Sequence, residues 1–214
     1  MAEKITLPIS NLHKVPDSMP DKIAVFAEPL AAACRIVEQG CLPGPGERMA
    51  VIGDGKLGLL ITEVLSRSLP EGSTLVHFGR HEKKLSMVSD LPNVTVSVQS
   101  PDDDHRQAFP VVVEASGSPA GLEQAMSVCR PLGTVVVKTT CAGTAPVNTS
   151  SIVVAELKLV GSRCGPFDKA LDLLGRLGAR LERYVEGEVA VTDGLAGLEQ
   201  AARKGALKVH VLMS

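Results

Sequence analysis

The sequence has no tryptophan, one tyrosine and four phenylalanines, so aromatic residues make up 2% of its 214 positions. Stacking platforms for nucleic-acid bases and cages for quaternary amines cannot be assembled from so few rings. Charge of one sign is lacking too: 22 Lys and Arg against 24 Asp and Glu leave a formal charge of −2. A polyanion-binding surface is therefore not indicated, and no nucleic-acid partner is expected. No run reaches the roughly 18 consecutive apolar residues of a membrane span. The amino-terminal MAEKITLPISNLHK has neither a long apolar block nor a small-residue cleavage pattern. No membrane partner is expected, and a cytoplasmic location is.

Cysteine pairs are also absent. Cys34, Cys41, Cys129, Cys141 and Cys164 are scattered without a CxxC, and an odd number in a chain of this size argues against a disulfide framework. They read as thiols in a reducing compartment, behaving as small apolar residues.

What is present is aliphatic. Short apolar runs recur as MAVI at 49–52, LVHF at 75–78, VTV at 94–96, VVV at 111–113, VVV at 135–137 and LKLV at 157–160. They are continuous rather than alternating, as expected of parallel strands covered on both faces. Helical patterns lie between them at 57–68, 82–90 and 121–129. A shorter crossover is predicted over 100–110, with Ser100 as cap, Pro101 in the first turn, Asp102 to Asp104 at the positive end and Pro110 as the stop. Strand and helix alternating this often define a doubly wound α/β layer.

That layer is assigned to residues 45–163. Residues 1–44 carry Pro8, Pro16, Pro20 and Pro29, a helical stretch over 29–39 closed by Gly40, and the turn-forming linker CLPGPGE. In residues 164–214, Ala170, Leu174, Leu177 and Leu181 follow a helical period. A short helix near 195–202 and a last strand, LKVHVLM, follow; that strand has no evident partner.

The sharpest signal is VIGDGKLGLL, which places Gly53, Gly55 and Gly58 as GxGxxG between the first strand and the first helix. Gly53 permits a tight turn, Gly55 lets backbone approach a pyrophosphate, and Gly58 allows close packing of helix on strand. Amides at the start of the helix, around Lys56 and Leu57, face the anion. A bare tight turn is the simpler alternative, but the βαβ setting favours a dinucleotide.

About 20 residues on, a NAD-preferring site carries an acid that accepts from the ribose 2′-hydroxyl. Here LVHFGRHEKK places Gly79 at that point, then Arg80, with His81, Lys83 and Lys84 close by. A guanidinium can hold a 2′-phosphate bidentately, so NADP(H) is favoured over NAD(H). Otherwise these bases are a solvated helix start. The carboxyl ends of later strands bring Ser116, Gly117 and Ser118, then Thr139, Thr140 and Cys141, then Gly161, Ser162 and Arg163 toward a cofactor.

The order of AEPLAAACRIVEQG, GERMAVIGDGKLGLL, VVVEASGSPAGLEQAMSVCRPLGTVVV, LVGSRCGPF and ALKVHVL resembles the medium-chain dehydrogenase/reductase superfamily, specifically its zinc-type alcohol dehydrogenase branch. The resemblance implies a nicotinamide-binding Rossmann domain, flanked by remnants of a substrate domain to which the chain returns. It implies hydride transfer between nicotinamide and an alcohol or carbonyl substrate. It carries a zinc ligand over to Glu28 and a pyrophosphate contact to Lys208. Glu28 also reads as an acid favoured at a helix start, and Lys208 as a solvated strand lysine.

The remaining zinc ligands of such proteins, a cysteine and a His-Glu pair, lie in an upstream GroES-like lobe that has no counterpart here. Zinc is thus expected only if that lobe is supplied, since one carboxylate cannot hold a catalytic zinc. The histidines do not compensate: His77 and His81 straddle a strand end, and His13, His105 and His210 are isolated. The alternative is a truncated, catalytically inactive dinucleotide-binding module. Without the lobe, the helix at 29–39 and the last strand would expose apolar surface, so self-association into a homo-oligomer is expected.

Other chemistries fit less well. A short-chain dehydrogenase needs Lys four residues after Tyr, and Tyr184 has Glu188 there. A methyl-donor site usually has an acid at the position of Gly79. There is no GxSxG, and Lys56 is followed by Leu57 rather than the Ser or Thr of a phosphate-binding loop.

Overall fold

A computed structural model describes residues 4–140, 146–203 and 205–213. In chain order the first elements are α1 (Asp21–Ala24), α2 (Ala27–Glu38), β1 (Arg48–Ile52), α3 (Lys56–Leu65), β2 (Thr74–Phe78), α4 (Glu82–Leu85), β3 (Val94–Ser97) and β4 (Phe109–Glu114). They are followed by α5 (Gly121–Val128), β5 (Cys129–Val137), α6 (Thr149–Val154), β6 (Lys158–Gly161), α7 (Phe167–Leu177), β7 (Val185–Ala190), α8 (Gly194–Ala202) and β8 (Lys208–Leu212). The contacts divide the chain into two compact units. One runs from Pro29 to Pro166; the other joins the segment ending at Glu28 to the segment starting at Phe167.

The first unit is a six-stranded, fully parallel sheet in the order β3-β2-β1-β4-β5-β6. This is a Rossmann-type α/β fold, with the strand order reversing between β1 and β4. Because successive side chains alternate faces, Ala50, Ile52, Val76, Phe78, Val112 and Val135 join Ala125, Met126 and Val128 of α5 in one core cluster. The intervening Met49, Val51, Leu75 and His77 are equally buried. The continuous apolar runs therefore mark the central strands correctly. They mark the margin less well: every described residue of β6 except Val160 is exposed, because β6 is the edge of the sheet.

Three local expectations change. The helix expected over 82–90 is a single turn, α4, followed by turns. The crossover over 100–110 is only a 3-10 turn, Asp103–His105; its N-cap is Asp102 rather than Ser100 and makes no side-chain capping bond. The stretch at 29–39 is not left uncovered. In α2, Leu30, Ala33 and Ile36 are fully buried. The helix is tied to the unit by Lys138, whose Nζ donates to Ala32 O at 2.7 Å, and by Gln39, whose Nε2 donates to Gly161 O at 3.0 Å.

In the second unit, α7 buries Ala170, Leu174 and Leu177, and Leu181 and Tyr184 follow in a 3-10 segment. The last strand is not an orphan: β8 pairs in parallel with β7, and α8 forms the crossover between them. Gly197 of α8 lies so close to the pair that a Cβ there would stand 2.5 Å from Val189 Cγ2. Of the cysteines, Cys34, Cys41 and Cys129 are buried and Cys164 is exposed. Burial pushes the Cys129 thiol up to about 11. Cys141 lies outside the described residues.

Candidate functional site

The site is built at the carboxyl ends of β1 and β4, paired neighbours whose onward connections diverge. The chain leaves β1 at Gly53, whose φ of +115° is open to glycine, and α3 begins at Lys56 after Gly55. The first backbone bond of this turn runs from Leu59 N to Gly55 O at 3.0 Å, so the amides of Lys56, Leu57 and Gly58 precede any intrahelical acceptor. Around Gly55 no atom lies within 4 Å of where a Cβ would be. Gly58 is the opposite case: a Cβ there would overlap the carbonyl oxygen of Gly53. The turn is therefore closed beneath by Gly53 and Gly58 and open above at Gly55.

Two buried groups hold the turn. His77 on β2, fully buried, places Nε2 3.0 Å from Gly53 O and Nδ1 2.9 Å from Thr62 Oγ1 on α3. A carbonyl can only accept, so Nε2 carries the hydrogen and Nδ1 accepts from the threonine hydroxyl. Burial lowers its pKa to about 4, against smaller upward pulls from the Gly53 hydrogen bond and the Asp54 charge. The imidazole is neutral at pH 7.

Asp54 is the second group. Its Oδ2 accepts from Arg80 N at 2.7 Å, His81 N at 2.7 Å and His81 Nδ1 at 2.9 Å. Burial alone would raise its pKa, but the His81 amide, the His81 ring and the Arg80 amide together hold it below the usual carboxylate range. Gly79 is glycine for this reason: a Cβ there would stand 2.6 Å from Asp54 Cβ. The glycine turn itself has put a carboxylate against the end of β2 and used it to fasten residues 79–81.

Across the divergence, β4 ends in Glu114, which is 1% exposed. Its Oε1 accepts from Ser116 N at 2.8 Å, Ser116 Oγ at 2.6 Å and Thr139 Oγ1 at 2.8 Å. Thr139 Oγ1 also accepts from Gly117 N at 2.9 Å, so one carboxylate sets the ends of β4 and β5. Between the two fastened loops lies a cleft of about 440 Å³. It is lined by Gly53, Asp54, Gly79, Arg80, Ser116 and Ser118, and by Gln99 to Pro101 and the first turns of α5.

The residues expected from sequence are thus distributed as follows. Gly53, Gly79, Arg80 and Ser116 line one cleft, with Gly117 in the loop at its side. Gly55, Lys56, Leu57 and Gly58 form the turn and helix start beside it, and Lys84 lies one turn after Arg80 in α4. Thr140 is exposed beyond β5. Ser162 is buried, and its Oγ accepts from Lys138 Nζ at 3.2 Å. Lys208 belongs to the second unit, where its ammonium donates to Val25 O at 3.2 Å and sits 4.8 Å from the centroid of Phe26. Glu28 is exposed. Among the described residues, no three His, Cys, Asp or Glu side chains are grouped so that they could hold a metal. The described residues do not fit a catalytic zinc.

No protein-family model matches the sequence. An uncharacterised zinc-type alcohol dehydrogenase-like protein of Haemophilus influenzae is 27% identical over 184 residues, covering 81% of this chain and 53% of that protein. The L-idonate 5-dehydrogenase of Escherichia coli superposes with a TM-score of 0.80 at 25% identity, over 93% of this chain and 59% of the other. The homologues of this chain are zinc-type alcohol dehydrogenase-like medium-chain dehydrogenase/reductase proteins. The structure of a zinc-binding dehydrogenase from Sinorhizobium meliloti, bound to NADP, superposes with a TM-score of 0.79 at 22% identity over 94% of this chain and 62% of its own length, which shows a shared fold. The chain spans about half the length of the curated relatives it matches.

Sequence reasoning missed Asp54, His77 and Glu114 as parts of the site. Asp54 stood within the quoted glycine motif, and its position between two glycines was the available signal. Nothing local marked His77 or Glu114.

Proposed function

We propose that the unit spanning Pro29 to Pro166 binds a nicotinamide dinucleotide, and that the chain serves an oxidoreductase of the alcohol dehydrogenase-like superfamily. The observation that carries this is the open space at Gly55 above three helix-start amides, a cradle that a side chain would fill. Such amides, reinforced by the helix dipole, suit a pyrophosphate. When bound, the nicotinamide supplies hydride transfer to and from an alcohol or carbonyl carbon.

The residues divide the labour. Lys56, Leu57 and Gly58 offer backbone N–H groups to the diphosphate. Arg80 lines the cleft and is exposed, with no ion-pair partner among the described residues. The nearby Asp54 carboxylate is already engaged by three N–H donors. A 2′-phosphate therefore meets a free guanidinium beside an acid whose Oδ2 is already taken up by hydrogen bonds, and the guanidinium favours NADP(H) over NAD(H). Ser116, held by Glu114, lies on the opposite wall, and Gly117, held by Thr139, lies in the loop at its side.

The second reading is a dinucleotide-binding module without turnover, favoured by the lack of a metal-holding cluster among the described residues. Turnover of NADPH or NADP with added zinc and a panel of alcohols and aldehydes separates the two. A zinc-dependent rate supports the oxidoreductase. Binding without any rate supports the module.

A further inference from the structure

The buried imidazole under the glycine turn has a geometry that does more than fill space. His77 Nε2 donates to Gly53 O at 3.0 Å, and Thr62 Oγ1 stands 2.9 Å from Nδ1 on the other side of the ring. Both side chains are fully buried. The threonine hydroxyl, by donating to Nδ1, selects the tautomer with hydrogen on Nε2, the one the carbonyl needs. The unbonded alternative is unfavourable at both ends, because the half-buried Gly53 carbonyl and the fully buried imidazole would each lose a partner.

The consequence passes through the peptide plane. No peptide bond is cis among the described residues, so in the unit joining Gly53 to Asp54 the C=O and the N–H point in opposite directions. Fixing the carbonyl down onto β2 fixes the Asp54 N–H away from it. That N–H has no acceptor among the described residues, and Asp54 lines the cleft. A donor is thus aimed by a side chain that lies beneath the turn and does not itself line the cleft.

We propose that His77, set by Thr62, is a positioning residue that presets the Gly53 to Asp54 peptide so that its N–H meets a phosphate oxygen of the dinucleotide. The proposal rests on the reading of this cleft as a dinucleotide site. It predicts that the pair matters for ligands with a diphosphate and not for those without.

The test titrates NADPH and adenosine 2′-monophosphate into wild type, His77→Leu, His77→Gln and Thr62→Val, at a temperature where each is folded by circular dichroism. NADPH affinity falls about tenfold in His77→Leu, the size expected for one lost phosphate hydrogen bond, while the monophosphate binds all four proteins alike. Gln can place an amide donor where Nε2 was, so His77→Gln restores most of the affinity. Equal weakening of both ligands, or full NADPH affinity in His77→Leu, overturns the proposal. Should His77→Leu fail to fold, the 15N shifts of His77 in the wild type decide: the Nε2–H tautomer supports it, and the Nδ1–H tautomer overturns it. Absence of NADPH binding by wild type overturns the dinucleotide reading itself. Binding that is indifferent to His77 overturns the positioning role alone.

Discussion

Gly58 and Gly53 touch without a side chain between them: a Cβ on Gly58 would overlap the carbonyl oxygen of Gly53. The first and third glycines of the motif thus form one contact, and the second, Gly55, stands over open space. Two substitutions separate these roles. Gly58→Ala forces the turn apart and lowers stability by about 1–3 kcal/mol. Gly55→Ala, at φ −72°, leaves stability within about 0.5 kcal/mol of wild type but weakens NADPH by about tenfold or more, because the new methyl enters the guest's space. Thermal melts paired with NADPH titrations check both.

Arg80 is the cation of the cleft whose side chain remains uncommitted among the described residues. Replacing it with alanine weakens NADPH by about tenfold and leaves NADH unchanged, as expected for loss of one charge-assisted contact. Equal Kd values for the two cofactors in the wild type would remove the argument for NADP.

The proposed site was legible to the extent that it was local. GxGxxG needs only consecutive residues, and the apolar runs that flank it are buried on both faces, so strand, turn and helix could all be read. Asp54 could not be assigned, because its partners, Arg80 and His81, lie 26 and 27 positions away. Gly79 stands where a NAD-preferring site carries its acid, and the Asp54 side chain occupies the space that a Cβ at 79 would need. β7 escaped for a different reason. In VEGEVA the half-buried positions are Val185, Gly187 and Val189, and a glycine in the middle of a polar alternation hides the period. The partners of α2 were equally invisible, since the tie from Lys138 to Ala32 spans 106 positions.

Lys138 supplies another test. Its buried ammonium donates to Ala32 O at 2.7 Å, Ser162 Oγ at 3.2 Å and Arg163 O at 3.3 Å. Lys138→Met keeps the length of the side chain but leaves these acceptors without that donor. Urea unfolding is expected to show a loss of about 2–4 kcal/mol, with proteolysis starting around α2.

His77 makes stability depend on pH. Its ordinary pKa near 6.5 is lowered to about 4 in the fold, chiefly by burial. Between those values the unfolded chain binds a proton that the folded chain refuses, so stability is full above about pH 6.5 and falls as the pH drops toward 4. The His77 share of that loss is about 2 kcal/mol between pH 7 and 5. His210, also lowered by burial, adds in the same direction. Urea midpoints at the two pH values should differ less in His77→Gln than in wild type.

The most direct measurement is a backbone amide NMR titration of the 214-residue chain with NADPH. Saturable shifts concentrated at Gly53 to Gly58, residues 79–81 and Ser116 to Ser118 are the predicted result. Uptake of neither NADPH nor NADH, or shifts confined to other surfaces, would contradict a diphosphate cradle at this turn.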